Sequence, residues 1–228
     1  MTQRSPQLKD VIHIQKNLDK DFQIVLENTA DKSRKNIYDV IRKTRMYRYN
    51  DTKQIEKILS IYNANENLCI IDYNEYSFYS IMSVVNGYKT FYINKSKKYY
   101  KDYIYHSLIL NNILPKQLTY LTSRFAINKN VKNYTVPLLI VNDIMDALNS
   151  KRLMNIGKIH NIIVIRTYED NLEIYQELHL LDYTFYKIGV HLNKITNIKN
   201  FLEEDQETSI LCRHPHSKLI TQCILTFD

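Results

Sequence analysis

Residues 67–93 read NLCIIDYNEYSFYSIMSVVNGYKTFYI. A short apolar run, Leu68 to Ile71, ends on Asp72, and the polar turn Tyr73-Asn74-Glu75 follows. Phe78, Ile81, Met82 and Val85 then recur at the spacing of one helix face. Asn86-Gly87 closes the segment, glycine being the usual residue just past a helix end. A second apolar run, Thr90 to Ile93, comes next. Strand, turn, helix and strand in this order predict a βαβ unit with parallel strands and a right-handed crossover. Ligands in such sheets lie beyond the carboxyl ends of the strands, which puts the candidate site beside Asp72.

Working outward, the flanking pattern keeps alternating. Ile55, Ile58, Leu59 and Tyr62 mark an amphipathic helix over 52–63. Tyr100, Ile104, Leu108 and Ile109 mark another over 96–111, ended by Asn111-Asn112. Strands are expected at 117–127, 136–141 and 160–165, then a helix at 169–181 through Leu172, Tyr175, Leu178 and Leu181. A strand at 185–192, a helix at 195–202 and terminal strands at 209–212 and 220–227 complete the reading. Strands alternating with helices predict an α/β class, with a mostly parallel central sheet and helices on both faces. Residues 51–228 are read as that domain. Residues 1–50 differ: apolar positions are sparse as far as Val25, and Lys32, Arg34, Lys35, Arg42, Lys43, Arg45 and Arg48 crowd together. They are read as a basic helical arm.

The chain has 228 residues and a formal net charge of +7. That length is enough for one domain with a sizeable core. Its three glycines leave few positions where positive φ is cheap, so a glycine-rich phosphate cradle is excluded. Cys69, Cys212 and Cys223 are odd in number and lack CxxC spacing, which argues against a disulfide framework or a zinc site and for a reducing, intracellular compartment. No apolar run approaches the roughly 18 residues of a membrane span. The N-terminus MTQRSPQLKD has no signal-peptide core. Heavy use of Asn, Ile, Lys and Tyr points to an AT-rich genome, as in some viruses and parasites.

The order of pieces resembles the FkbM-type S-adenosylmethionine-dependent methyltransferases, over roughly residues 52–212. In that family the first strand ends in an aspartate, followed by a glycine-containing turn and an aromatic-Tyr-Ser string. Asp72 and Phe78-Tyr79-Ser80 match it, whereas Tyr73 to Ser77 holds no glycine. The family's second strand is followed by an acid that holds the cofactor ribose; here Asn94-Lys95 follows Ile93. The end of the next helix, Leu108 to Ile113, is similar to the family's asparagine-bearing pattern. Ile140-Val141-Asn142-Asp143-Ile144 is similar to a Leu-Asp-Asp-Leu element. Glu169 stands where an acidic motif follows a later strand. The resemblance implies a Rossmann-like methyltransferase fold. It implies that Asp72, Asn74, Asn94, Asp143 and Glu169 would face S-adenosylmethionine if the cofactor binds.

The chemistry asks for more than those positions. A glycine turn lets the backbone approach the cofactor because it carries no Cβ. An acid after the second strand accepts from the ribose hydroxyls. With both replaced, the expectation is a degenerate methyltransferase-like protein, without cofactor or catalytic residues, that serves a structural or interaction role with an unidentified protein partner. The alternative is an active methyltransferase acting on a sugar, small molecule or RNA. A third reading is a basic nucleic-acid-binding module using Arg42, Lys43, Arg45, Lys97, Lys98 and Lys101, since lysines among tyrosines in KSKKYYKDYIY suit phosphate neutralisation and base stacking. His214-Pro215-His216 with Cys212 could form a metal cluster but reads better as surface residues, so no metal is expected.

Overall fold

The structure is a computed structural model. It describes residues 10–17, 20–26, 38–43, 52–53, 55–57, 68–73, 78–93, 103–121, 136–141, 161–166, 172–189, 192–205 and 208–217. Ten strands are described: β1 (Asp10–Asn17), β2 (Lys20–Leu26), β3 (Leu68–Tyr73), β4 (Lys89–Ile93), β5 (Leu118–Leu121), β6 (Val136–Val141), β7 (Asn161–Val164), β8 (Thr184–Ile188), β9 (Leu192–Lys194) and β10 (Ile210–Arg213). Four helices join them: α1 (Phe78–Val85), α2 (Tyr105–Leu110), α3 (Leu172–Leu180) and α4 (Ile198–Glu204). Shorter helical stretches lie at 38–43 and 55–57.

Eight strands form one sheet in the order β5-β4-β3-β6-β7-β10-β8-β9. The first five run parallel, with Asp72 opposite both Tyr92 and Ile140. β10 lies antiparallel between β7 and β8, and β9 pairs antiparallel with β8. The expected mostly parallel α/β sheet is therefore present.

Side-chain alternation divides the core in two. Ile70, Tyr92, Leu138, Ile140 and Ile163 face one cluster together with α1 and α2. Ile71, Phe91, Leu139, Val141 and Val164 face the other, which is covered by Ile174, Tyr175 and Leu178 of α3 and by Ile198, Phe201 and Leu202 of α4. Helices thus cover both faces, as period-two alternation in a doubly covered sheet requires.

The expected helical arm needs correction over 10–26. β1 and β2 form a two-stranded antiparallel hairpin there, with Ile12 opposite Ile24 and Ile14 opposite Phe22. β-branched and aromatic residues are concentrated in both segments, and these suit a pleated surface better than a helix. Phe22, Ile24, Val25 and Leu26 are buried in the cluster that contains α1 and α2. The helical expectation is met at 38–43.

Two more differences are local. The expected strand 185–192 is two strands, β8 and β9, separated by a bend at Gly189. The helix expected to start at 195 starts at Ile198, where the Asn197 side chain accepts from the Asn200 N–H at 3.2 Å. The strand expected at 220–227 lies outside the described residues.

Three helices end in the same way with three different residues. Gly87, Asn112 and Asp182 have φ of 91°, 56° and 65°. After each, the next N–H reaches back to a carbonyl five residues earlier: Tyr88 to Ser83, Ile113 to Leu108 and Tyr183 to Leu178. This is the Schellman arrangement, which needs a left-handed residue just past the helix. In a chain with three glycines, Asn and Asp fill two of these places because they tolerate that conformation best among the remaining residues.

Candidate functional site

The parallel part of the sheet reverses direction at one place. The chain passes from β3 outward through β4 to β5, then returns to the other side of β3 as β6. The crevice beyond the carboxyl ends of β3 and β6 is therefore the position at which such sheets bind ligands. In sequence, Asn74 and Asn94 directly follow β3 and β4, Asp143 stands two residues past β6, and Glu169 five past β7. All four lie outside the described residues, as do Arg45, Lys97, Lys98 and Lys101.

Asp72 is described and fully buried. Alternation along β3 turns it to the α1 face, with Ile70. There its Oδ2 accepts from the Ser80 backbone N–H at 2.9 Å and from the Ser80 hydroxyl at 2.5 Å. Ser80 is the third residue of α1, and its N–H is one of the helix-start donors left without a backbone partner. An N-cap side chain normally serves that donor. Here a strand-end carboxylate serves it from eight residues earlier, tying β3 to the helix that follows. The sequence reading singled out Asp72 and Ser80 as motif matches but not the bond between them.

Tyr73 is half-buried on the opposite face, packed against the cluster beneath α3 and α4. Tyr92 and Tyr120, opposite each other near the carboxyl ends of β4 and β5, stack with ring centroids 6.4 Å apart. Burial pushes the Tyr120 phenol pKa up.

A second polar group sits past β7 and was not anticipated. Arg166, 2% exposed, donates to the Asp205 and Thr208 carbonyls, and its guanidinium lies 5.4 Å from the centre of the Phe201 ring. Asp205 accepts from Lys187 Nζ at 2.8 Å and from the Thr208 N–H and hydroxyl at 2.9 and 2.7 Å. These bonds brace the end of α4 against the start of β10. The signal in sequence was an arginine at the end of an apolar strand, which must find partners when buried.

The basic candidates are split. Arg42 forms an ion pair with Asp39 at 2.9 Å, one helical turn away, while Lys43 is exposed. No group of three His, Cys, Asp or Glu suited to a metal occurs among the described residues. Cys69 is buried, and burial pushes its thiol up to about 12, so it stays protonated at neutral pH. No helix among the described residues is long and apolar enough to cross a membrane.

The resemblance implies S-adenosylmethionine, and the residues present do not fit it in the family's manner. The turn after β3 contains no glycine, β4 is followed by Asn94-Lys95 and not by an acid, and one Asp72 oxygen is committed to α1.

No protein-family model matches the chain, and no curated protein matches it. Solved structures do. An S-adenosylmethionine-dependent methyltransferase from Agrobacterium tumefaciens aligns at a TM-score of 0.53 and 10% identity, over 93% of this chain and 71% of that one. A candidate methyltransferase of the same cofactor class from Streptococcus mutans aligns at 0.52 and 10% identity, over 93% of this chain and 57% of that one. A candidate transferase from Pyrococcus horikoshii aligns at 0.50 and 12% identity, over 91% of this chain and 71% of that one. Likeness at such identities speaks to architecture, and it agrees with the strand order found here: the chain has the Rossmann-like α/β fold seen in S-adenosylmethionine-dependent methyltransferases.

Proposed function

We propose that this chain is a methyltransferase-like scaffold, of FkbM-type ancestry, that no longer transfers methyl groups and acts by binding another protein. The observation that carries this reading is the glycine-free turn 73–77, with Asn94-Lys95 standing in place of an acid after β4. Together they remove the close backbone approach and the ribose acceptor that cofactor binding needs.

Isothermal calorimetry with S-adenosylmethionine and S-adenosylhomocysteine tests the proposal on the whole chain. The expected result is no binding at millimolar ligand. Micromolar affinity in the unaltered protein overturns it and revives the active-enzyme reading, in which the Asp72–Ser80 pairing would shape the turn for the cofactor. The nucleic-acid reading has less support, because Arg42 is already paired with Asp39. It requires RNA or DNA affinity that falls steeply with salt.

A further inference from the structure

Helix α2 has two unlike sides. The inner side is fixed to the hairpin. Ser107 Oγ accepts from the Val25 N–H at 2.9 Å and donates to the Tyr103 carbonyl at 2.8 Å. One turn later, the Asn111 side chain accepts from the Gln23 N–H at 2.7 Å and donates to the Gln23 carbonyl at 2.6 Å. Two side chains thus take the place of a neighbouring strand along one edge of β2, and α2 becomes a rigid platform.

The outer side is apolar and uncovered. Tyr105 is 41% exposed, Ile109 50%, Leu110 39% and, just beyond the helix, Leu114 57%. Tyr105 and Ile109 lie one turn apart on a single stripe, with Leu110 one position round from it. At about 200 Å² for each fully exposed side chain, this face offers roughly 400 Å² of apolar surface, within the range of about 300–600 Å² of a typical monomer's largest patch, which is often functional. Lys116 and His106 are exposed beside the apolar residues.

We propose that the outer face of α2 docks a short acidic amphipathic helix of a partner protein. The inference deepens the interaction role above and rests on that reading. Three observations choose the occupant. The anchors are mainly aliphatic, which suits the apolar stripe of a helix and not the stacked bases of a nucleic acid. The area is about half of the roughly 800 Å² per partner that a stable dimer buries. Exposed Lys116 and His106 beside the face, on a chain of net charge +7, favour an acidic segment.

The test uses the full chain and two labelled synthetic peptides of about four helical turns, both with leucine along one stripe. One carries glutamate on its other positions and one carries lysine. Fluorescence anisotropy is expected to show the glutamate peptide binding at least about tenfold more tightly than the lysine peptide, and more weakly as salt rises. Ile109→Glu combined with Leu114→Glu is expected to weaken it by a further factor of about ten or more. Both positions are exposed, so circular dichroism should report an unchanged fold; a separate Ile109→Ser variant guards against misfolding of the double variant. Equal affinity for the two peptides, no binding of either, or binding unaffected by the substitutions overturns the proposal. So does a dimer in sedimentation that Ile109→Glu abolishes, which would make the occupant a second copy. Single-stranded RNA binding lost in the same variants overturns it too. S-adenosylhomocysteine calorimetry run alongside reads the loss of methyl transfer alone, so the two failures are distinguishable.

Discussion

Helices α1 and α3 are nearly equal in length and lie on opposite faces of the same sheet, yet they are built on different plans. α3, LEIYQELHL, buries Ile174, Tyr175 and Leu178 and leaves Leu180 82% exposed. It is an ordinary surface helix with one apolar stripe. α1, FYSIMSVV, carries no charge, and all eight of its residues are buried. A helix that is apolar all round needs cover on the side away from the sheet. Strand β2 supplies that cover, with the Phe22 ring 5.5 Å from that of Phe78 at an edge-on angle. α1 is thus the middle layer between the sheet and a hairpin that comes more than fifty residues earlier in the chain. A helix in a sequence without a single charge on any face announces that some distant segment must lie over it.

This contrast is open to direct attack. Phe22→Ala should cost about 3–5 kcal/mol in urea denaturation, the usual range for removing a large aromatic from a packed core. Leu180→Ala should stay within about 0.5 kcal/mol, since that side chain is already in water. Similar small effects at both positions would mean that the hairpin does not belong to the core and that α1 gets its cover elsewhere. Asp72→Ala should fall between them, at about 2–3 kcal/mol, because it strands the Ser80 N–H and hydroxyl in a buried site. Asp72→Asn keeps an acceptor and should recover part of the loss. If Asp72→Ala were neutral in denaturation, the carboxylate would not be the clasp between β3 and α1.

The β3-α1-β4 unit was legible because it is local. A strand ending on Asp72, a helical stripe and Gly87 lie within twenty residues of one another, and each cue agreed with the next. The left-handed role of Asn112 was half legible, since Asn111-Asn112 was read as a helix end without its geometry. The hairpin was not legible as strands. Phe22, Ile24, Val25 and Leu26 are all buried, so β2 shows no clean period-two alternation, and its cover role depends on contacts remote in sequence. The insertion of β10 between β7 and β8 was hidden for the same reason: Ile210 to Cys212 read as a strand, but which strands it joins is a long-range pairing. At the candidate site, the location of Asp72 followed from topology, whereas its bond to Ser80 depends on the angle at which α1 leaves the sheet.

The smallest expected effect sharpens the comparison from the α3 side. The residues after α3 meet the end of β10: the Tyr183 ring lies 5.3 Å from that of His214, which lies 5.0 Å from that of His216. The His216 N–H donates to His214 Nδ1 at 3.2 Å, so that nitrogen must be unprotonated. Burial, then His216, lowers the His214 pKa below the ordinary 6.5, while Asp182 pulls the other way. The native chain therefore takes up this proton less readily than the unfolded chain, and acid favours unfolding. Stability is complete above about pH 6.5 and is lost as the pH falls through the lower native value. Ser217 lies in the same turn and donates to the buried Asn161 side chain at 2.7 Å, so loosening there reaches the start of β7. A small drop in the urea midpoint between pH 7 and pH 5.5 that His214→Gln flattens is the expected result. The same drop persisting in that variant would mean that a group other than His214 is the acid-sensitive one.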